Sequence, residues 1–126
     1  MTNWKDNSSS YNGKMLRAVV RVGDDEIVEA SIYYSREYTT RKNEWGVTMK
    51  DATGTHRIIL NCSAMRRSGT AGFYSGGLGK SYEMAGGFKR QTLKDLQKVA
   101  EKLDDAGLIA ASEGDFSPTL IVGGSK

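Results

Sequence analysis

The stretch that decides the fold is "KMLRAVVRVGDDEIVEASIYY", residues 14–34. In Lys14–Val22, Leu16, Ala18, Val20 and Val22 point one way while Arg17, Val19 and Arg21 point the other. Gly23-Asp24-Asp25 is a turn signal, and Glu26–Tyr34 alternates again with Val28, Ala30, Ile32 and Tyr34 on the inner side. Two period-2 runs around a short Gly/Asp turn predict an antiparallel hairpin with one buried face. Glu29 would then face Arg17 or Arg21 across the strands, a pairing of opposite charges that suits the sheet.

The same pattern continues outward. Residues 1–13 are polar and serine-rich and predict a loose arm, whereas "SREYTTRKNE" (35–44) predicts a loop or twisted edge. Trp45–Lys50 alternates, Asp51–Gly54 reads as a turn, and Thr55–Ala64 returns with Ile58, Leu60 and Cys62 inward. Thr70–Ser75 and Lys80–Ala85 are further strands, joined across the glycine-rich Gly76–Gly79. Thr92 then opens a helix: Asp95 stands three positions on, and Leu93, Leu96, Val99, Ala100 and Leu103 form a stripe at helical spacing. Lys94, Lys98 and Lys102 mark its wet side, and Gly107 predicts its end. Leu108–Ala111 and Thr119–Val122 read as short extra strands. The expected fold is α+β: an antiparallel meander of about six strands with one C-terminal helix packed on it, spanning residues 14–122 as a single domain before a loose tail at 123–126.

With 126 residues and 38% hydrophobic content, the chain has enough length for one real core. No apolar run approaches the ~20 residues that span a bilayer. The first residues lack the apolar centre of a leader peptide, and the single cysteine, Cys62, has no internal partner. These features predict a cytoplasmic protein without a membrane anchor. The net charge of +3 is unevenly spread. Between Ala52 and Thr92, six basic residues stand against the single acid Glu83, a net of +5 that leaves −2 for the rest. Seven of the fifteen glycines lie between residues 69 and 87. A basic, glycine-rich middle predicts an anionic partner.

Two motifs compete for that partner. Gly79-Lys80-Ser81 looks like the end of a phosphate-binding loop, but the pattern requires glycine at position 74, where Tyr74 stands. No helix opens at Lys80 either, so residues 76–79 read as a hairpin turn. "AGGFKRQT" (85–92) is more promising, because two glycines and two cations lead to the predicted helix start. Unpaired N–H groups and the positive end of the helix dipole favour an anion there. On this reading the Gly86 and Gly87 backbone, Lys89, Arg90 and Thr92 hold phosphate. Lys80 and Arg57 add outer charge, and Phe88 or Tyr82 lies against a base. The competing reading is a strand-to-helix turn with solvated Lys and Arg, and with Phe88 as a core anchor.

Catalytic constellations are absent from the sequence. His56 is the only histidine and shares a strand face with Ile58 and Leu60, Cys62 reads as a core residue, and the acids are scattered. The chain is therefore expected to be non-enzymatic and to need no cofactor or metal. Its aromatics suggest a second class of partner. Tyr33, Tyr34, Tyr38, Tyr74 and Tyr82 interleave with Arg and Lys, as in sheets that stack single-stranded bases, although tyrosine also packs well in strands for purely structural reasons.

Residues 82–103, "YEMAGGFKRQTLKDLQKVAEKL", resemble small phage-encoded proteins that sequester cyclic nucleotide signals, the Thoeris anti-defence sponge type. Gly86, Gly87, Phe88, Lys89 and Thr92 match that family's glycine pair, aromatic, basic residue and helix-starting Ser/Thr. The resemblance covers about a sixth of the chain. The family's second glycine-aromatic step is missing, and a lysine-rich helix stands in place of an alanine-rich one. The resemblance implies a homo-oligomer that binds a small cyclic nucleotide between subunits. The alternative is a basic sheet that binds single-stranded nucleic acid or a ribonucleoprotein, such as a phage inhibitor of a nucleic-acid-guided defence system. A pure protein–protein inhibitor of a defence-system protein is the third possibility.

Overall fold

The computed structural model of the chain describes residues 2–11, 13–67, 73–75, 79–103, 105–114 and 116. Its elements run β1 (Lys5–Asp6), α1 (Ser8–Tyr11), β2 (Met15–Arg21), β3 (Glu26–Lys42), β4 (Thr48–Arg67), β5 (Phe73–Ser75), β6 (Lys80–Phe88), α2 (Leu93–Glu101) and α3 (Asp105–Glu113). The architecture is α+β: one antiparallel sheet with two short helices on one face.

The predicted first hairpin forms as β2 and β3, in the register Leu16↔Ile32, Ala18↔Ala30 and Val20↔Val28. Its turn closes when the N–H groups of Val22 and Gly23 both donate to the Glu26 carbonyl, at 3.0 and 3.2 Å. Arg17 and Glu29 pair at 2.8 Å on the outer face. The inner residues Leu16, Val28, Ala30, Ile32, Tyr34, Ile58, Leu60 and Cys62 are buried. Leu96, Val99, Ala100 and Leu103 of the α2 segment cover them, together with Leu108 and Ala111 of α3. Each fully buried Leu or Ile contributes about 1.5–3 kcal/mol of transfer free energy, so this layer is what holds the helices to the sheet.

Six expectations change. The arm 1–13 contains β1, paired Lys5↔Arg17 and Asp6↔Leu16, and the short α1. Partly buried Trp4 packs against the core and ties the arm down. Residues 35–42, expected as a loop or twisted edge, extend β3. Thr48–Arg67 is one continuous strand in which the Asp51–Gly54 turn signal becomes a bulge: Arg36 faces His56 but Tyr38 faces Ala52. Three residues of β4 oppose one of β3 there, and Gly54 takes a positive φ of 83° that suits glycine. The actual turn lies at Asn43–Val47.

The remaining changes concern the C-terminal half. β5 and β6 both run antiparallel to β4 along the same edge, with Arg67↔Phe73 and Met65↔Ser75 followed by Cys62↔Lys80 through His56↔Phe88. They therefore point in the same direction, and the strands flanking residues 76–79 are not the two arms of a hairpin. The helix opened by Thr92 ends at Glu101, where Lys102 and Leu103 donate to Val99 and Ala100 in tightened last-turn bonds. Gly107 lies inside a second helix, α3, where a strand over Leu108–Ala111 was expected. Leu108 and Ala111 are three apart and both buried, which is helical spacing in a run too short for its period to be unambiguous. The expected strand at 119–122 and tail at 123–126 lie outside the described residues, as do residues 70–72 and 76–78. No described helix is long and apolar enough to cross a membrane.

Candidate functional site

The residues assigned to phosphate do not converge. Thr92 caps α2, its Oγ1 accepting from the Asp95 N–H at 3.2 Å and donating to Asp95 Oδ2 at 2.8 Å. Its backbone N–H and carbonyl both bond the Tyr34 hydroxyl, at 3.1 and 2.9 Å. Burial pushes the Tyr34 pKa up from 10.0, so the phenol stays protonated and can donate. The helix start is thus capped internally, and a first-turn carboxylate already sits at its positive pole. The Gly87 N–H donates to Glu37 Oε1 at 2.8 Å, with Gly87 at φ 82°, so a carboxylate also occupies the glycine pair. A Cβ on Gly86 would lie 3.6 Å from Glu37 and 3.7 Å from Glu83.

The aromatic candidates are engaged as well. Phe88 is fully buried and meets Tyr34 edge-on at 5.9 Å, so it anchors the core. Tyr82 donates its hydroxyl to the Ala111 carbonyl at 2.9 Å and meets Phe116 edge-on at 5.5 Å. Lys80 reaches the C-terminal end of α3, where a Cβ on Gly114 would lie 2.5 Å from Nζ; an ammonium is favoured at that pole. Lys80 and Phe88 are the two ends of a nine-residue strand, about 26 Å apart. Arg57 lies on the opposite face of the sheet from the helices, its Nε buried without a hydrogen-bond partner among the described residues. Of the assigned set, Lys89 and Arg90 remain exposed together, in the β6–α2 connection. An open groove of about 430 Å³ adjoins that connection, lined by Ser8, Ser9, Gly13, Lys14 and Gln91.

A different site emerges from the β3–β4 hairpin. β2 pairs with β3 only up to Tyr33, and β6 pairs with β4 only from His56. Among the described residues, 36–42 and 48–55 therefore pair only with each other, forming a two-stranded ribbon. The bulge opposite Glu37 adds two residues to β4, an even number, so the alternation of faces continues unbroken along both strands. The face continuous with the core carries Arg36, Tyr38, Thr40 and Lys42 on β3 and Thr48, Lys50, Ala52 and His56 on β4. His56 meets Tyr34 edge-on at 6.1 Å, which confirms the side it occupies. This face holds no carboxylate.

Both strand acids of the ribbon are on the other face and engaged: Glu37 with Gly87, and Asp51 with Arg41 at 2.7 Å. The remaining acid, Glu44, lies in the terminal turn. Arg36, Lys42 and Lys50 form no ion pair among the described residues. Arg36 aligns across the sheet with His56 and then Phe88, so Lys89 and Arg90 follow directly at the base of the acid-free face.

The terminal turn is internally braced. Asn43 Oδ1 accepts from the N–H groups of Trp45 and Val47 at 2.9 and 3.0 Å, Asn43 N–H donates to the Val47 carbonyl at 3.0 Å, and Gly46 N–H donates to the Asn43 carbonyl at 3.0 Å. This turn presents Trp45 at 80% exposure, with Tyr38 (53%), Val47 (54%) and Met49 (39%) also exposed on the ribbon. Sequence reasoning missed the face because polar residues on both sides of a solvated ribbon resemble a loop. The available signal was the segregation of acids at period 2, with Arg36, Tyr38, Thr40 and Lys42 against Glu37, Thr39 and Arg41. No family model, curated protein or solved structure matches the chain.

Proposed function

We propose that the protein is a non-enzymatic nucleic-acid-binding protein whose interface is the acid-free face of the β3–β4 ribbon, extended at its base by Lys89 and Arg90. The observation that carries this reading is the sorting of charge: among the described residues no cation of that face has an ion pair, and both strand acids lie behind it in internal bonds. Lys, Arg and Thr are the side chains that grip phosphates, and an exposed tyrosine among them offers a stacking surface. The target is a nucleic acid strand, free or held in a ribonucleoprotein, as an inhibitor of a nucleic-acid-guided defence system would require.

Fluorescence anisotropy with labelled oligonucleotides at several salt concentrations tests the reading. Binding should weaken steeply with salt, and removing Arg36 and Lys50 together should make the log–log slope shallower by roughly 1.5–2. Binding that ignores salt, or that survives the double substitution unchanged, contradicts it. The second reading, a small phosphate-bearing ligand such as a cyclic nucleotide held in a homo-oligomer, draws support from the groove beside Gln91, where the Lys14 N–H donates to Gln91 Oε1 at 3.3 Å, one residue along the chain from Arg90. A rise in melting temperature with a cyclic di- or trinucleotide, abolished by Lys14→Ala, would favour that reading.

A further inference from the structure

We infer that Trp45 is a base-stacking residue, and that the ligand of the ribbon therefore carries unpaired bases. The inference rests on the nucleic-acid reading and narrows it to single-stranded segments. Tryptophan ordinarily buries a large apolar surface. Here it is 80% exposed, on a turn fixed by four hydrogen bonds to and from Asn43. The indole is thus held outward by an ordered backbone, so little conformational entropy is lost when a flat partner covers it.

The neighbouring chemistry selects that partner. The acid-free face leads to the turn from the sheet, and Arg36 to Lys42 spans about 20 Å. That length matches roughly six phosphates of a stacked strand at 3.4 Å each. A strand gripped at Arg36, Lys50 and Lys42 arrives at the tip with a base beside the indole. Tyr38, on the gripping face and half exposed, is a second ring along the same path. Bases closed inside a duplex present only their edges, whereas an unpaired base presents the π-face that a tryptophan stacks on.

The test compares intact protein with Trp45→Ala and Trp45→Phe, using poly-dT, poly-U and a blunt DNA duplex as probes. Trp45→Ala should weaken binding of the single strands roughly 5- to 150-fold with no change in salt slope. Trp45→Phe should restore much of the loss, and duplex binding should be the same for all three proteins. Comparing poly-dT with poly-U shows whether the strand is DNA or RNA. If Trp45→Ala binds single strands as well as the intact protein does, while the Arg36/Lys50 double substitution impairs binding, the stacking role fails and the ribbon reading stands. An equal loss on the duplex overturns the assignment to unpaired bases. Failure of the intact protein to bind any of the three probes overturns both.

Discussion

The inner and outer halves of the β3–β4 hairpin share one pair of strands and one alternation, yet their chemistry is opposite. Over residues 26–34 and 58–62, the side facing α2 and α3 carries Val28, Ala30, Ile32, Tyr34, Ile58, Leu60 and Cys62, all buried. Past Arg36 the same side carries cations, threonines and Tyr38, all exposed. The change comes at the row Arg36–His56–Phe88, where Tyr34 holds the Thr92 cap and the helices begin. A sheet face is apolar where helices cover it. Beyond the helices the same face is free to be selected for binding.

Substitutions in the two halves should therefore separate stability from binding. The largest effect is expected from Phe88→Ala, which removes a fully buried ring and should lower unfolding free energy by about 3–5 kcal/mol in urea titrations. Thr92→Ala removes the α2 cap and should cost about 1 kcal/mol, read as a lower denaturation midpoint with an unchanged m-value. Tyr38→Ala and Lys50→Ala, on the ribbon, should shift stability by less than about 0.5 kcal/mol. A ribbon substitution that unfolds the protein would erase the distinction between the halves.

The inner half should also show a pH dependence. Burial pushes the Cys62 thiol from 9.0 up to about 11, and burial raises Tyr34 as well. For a group whose pKa is raised in the folded state, the unfolded chain ionises first. The contribution is therefore complete below pH 9.0 and is lost as pH rises toward about 11. Thermal melts should fall over that interval, and Cys62→Ala should make the fall shallower. Cys62, fully buried and donating to the Leu108 carbonyl at 3.4 Å, should react with thiol reagents only when the core opens.

The inner half was legible in the sequence because burial imposes a period. Alternation at Leu16–Val20 and Val28–Tyr34 gave the first hairpin. The Thr92–Asp95 pair with Leu96, Val99 and Ala100 gave α2 and its cap. The outer half was not legible, because no burial constrains residues 35–55 and the turn signal Asp51–Gly54 is absorbed in a bulge. The same gap hides what lies against the glycine pair. Spacing alone allows Gly86 and Gly87 to bend around a phosphate or to form a plain strand-to-helix turn; the group at the Gly87 N–H is Glu37, fifty residues away in the chain. That contact was invisible until 35–42 became a strand. Phe88, Tyr82 and Lys80 were sorted by their neighbours in α2 and α3, and α3 itself was not predicted.

The most direct test sets one face of the ribbon against the other. Lys50 and Arg41 are both exposed cations of the same ribbon, but Lys50 lies on the acid-free face and Arg41 is paired with Asp51 behind it. Single-strand binding by Lys50→Ala and Arg41→Ala should be measured across a salt series. Lys50→Ala should lose affinity and flatten the salt slope by about 0.7–1, with Arg41→Ala close to the intact protein. Equal losses from the two, or a loss confined to Arg41→Ala, would contradict the assignment of the interface to the acid-free face.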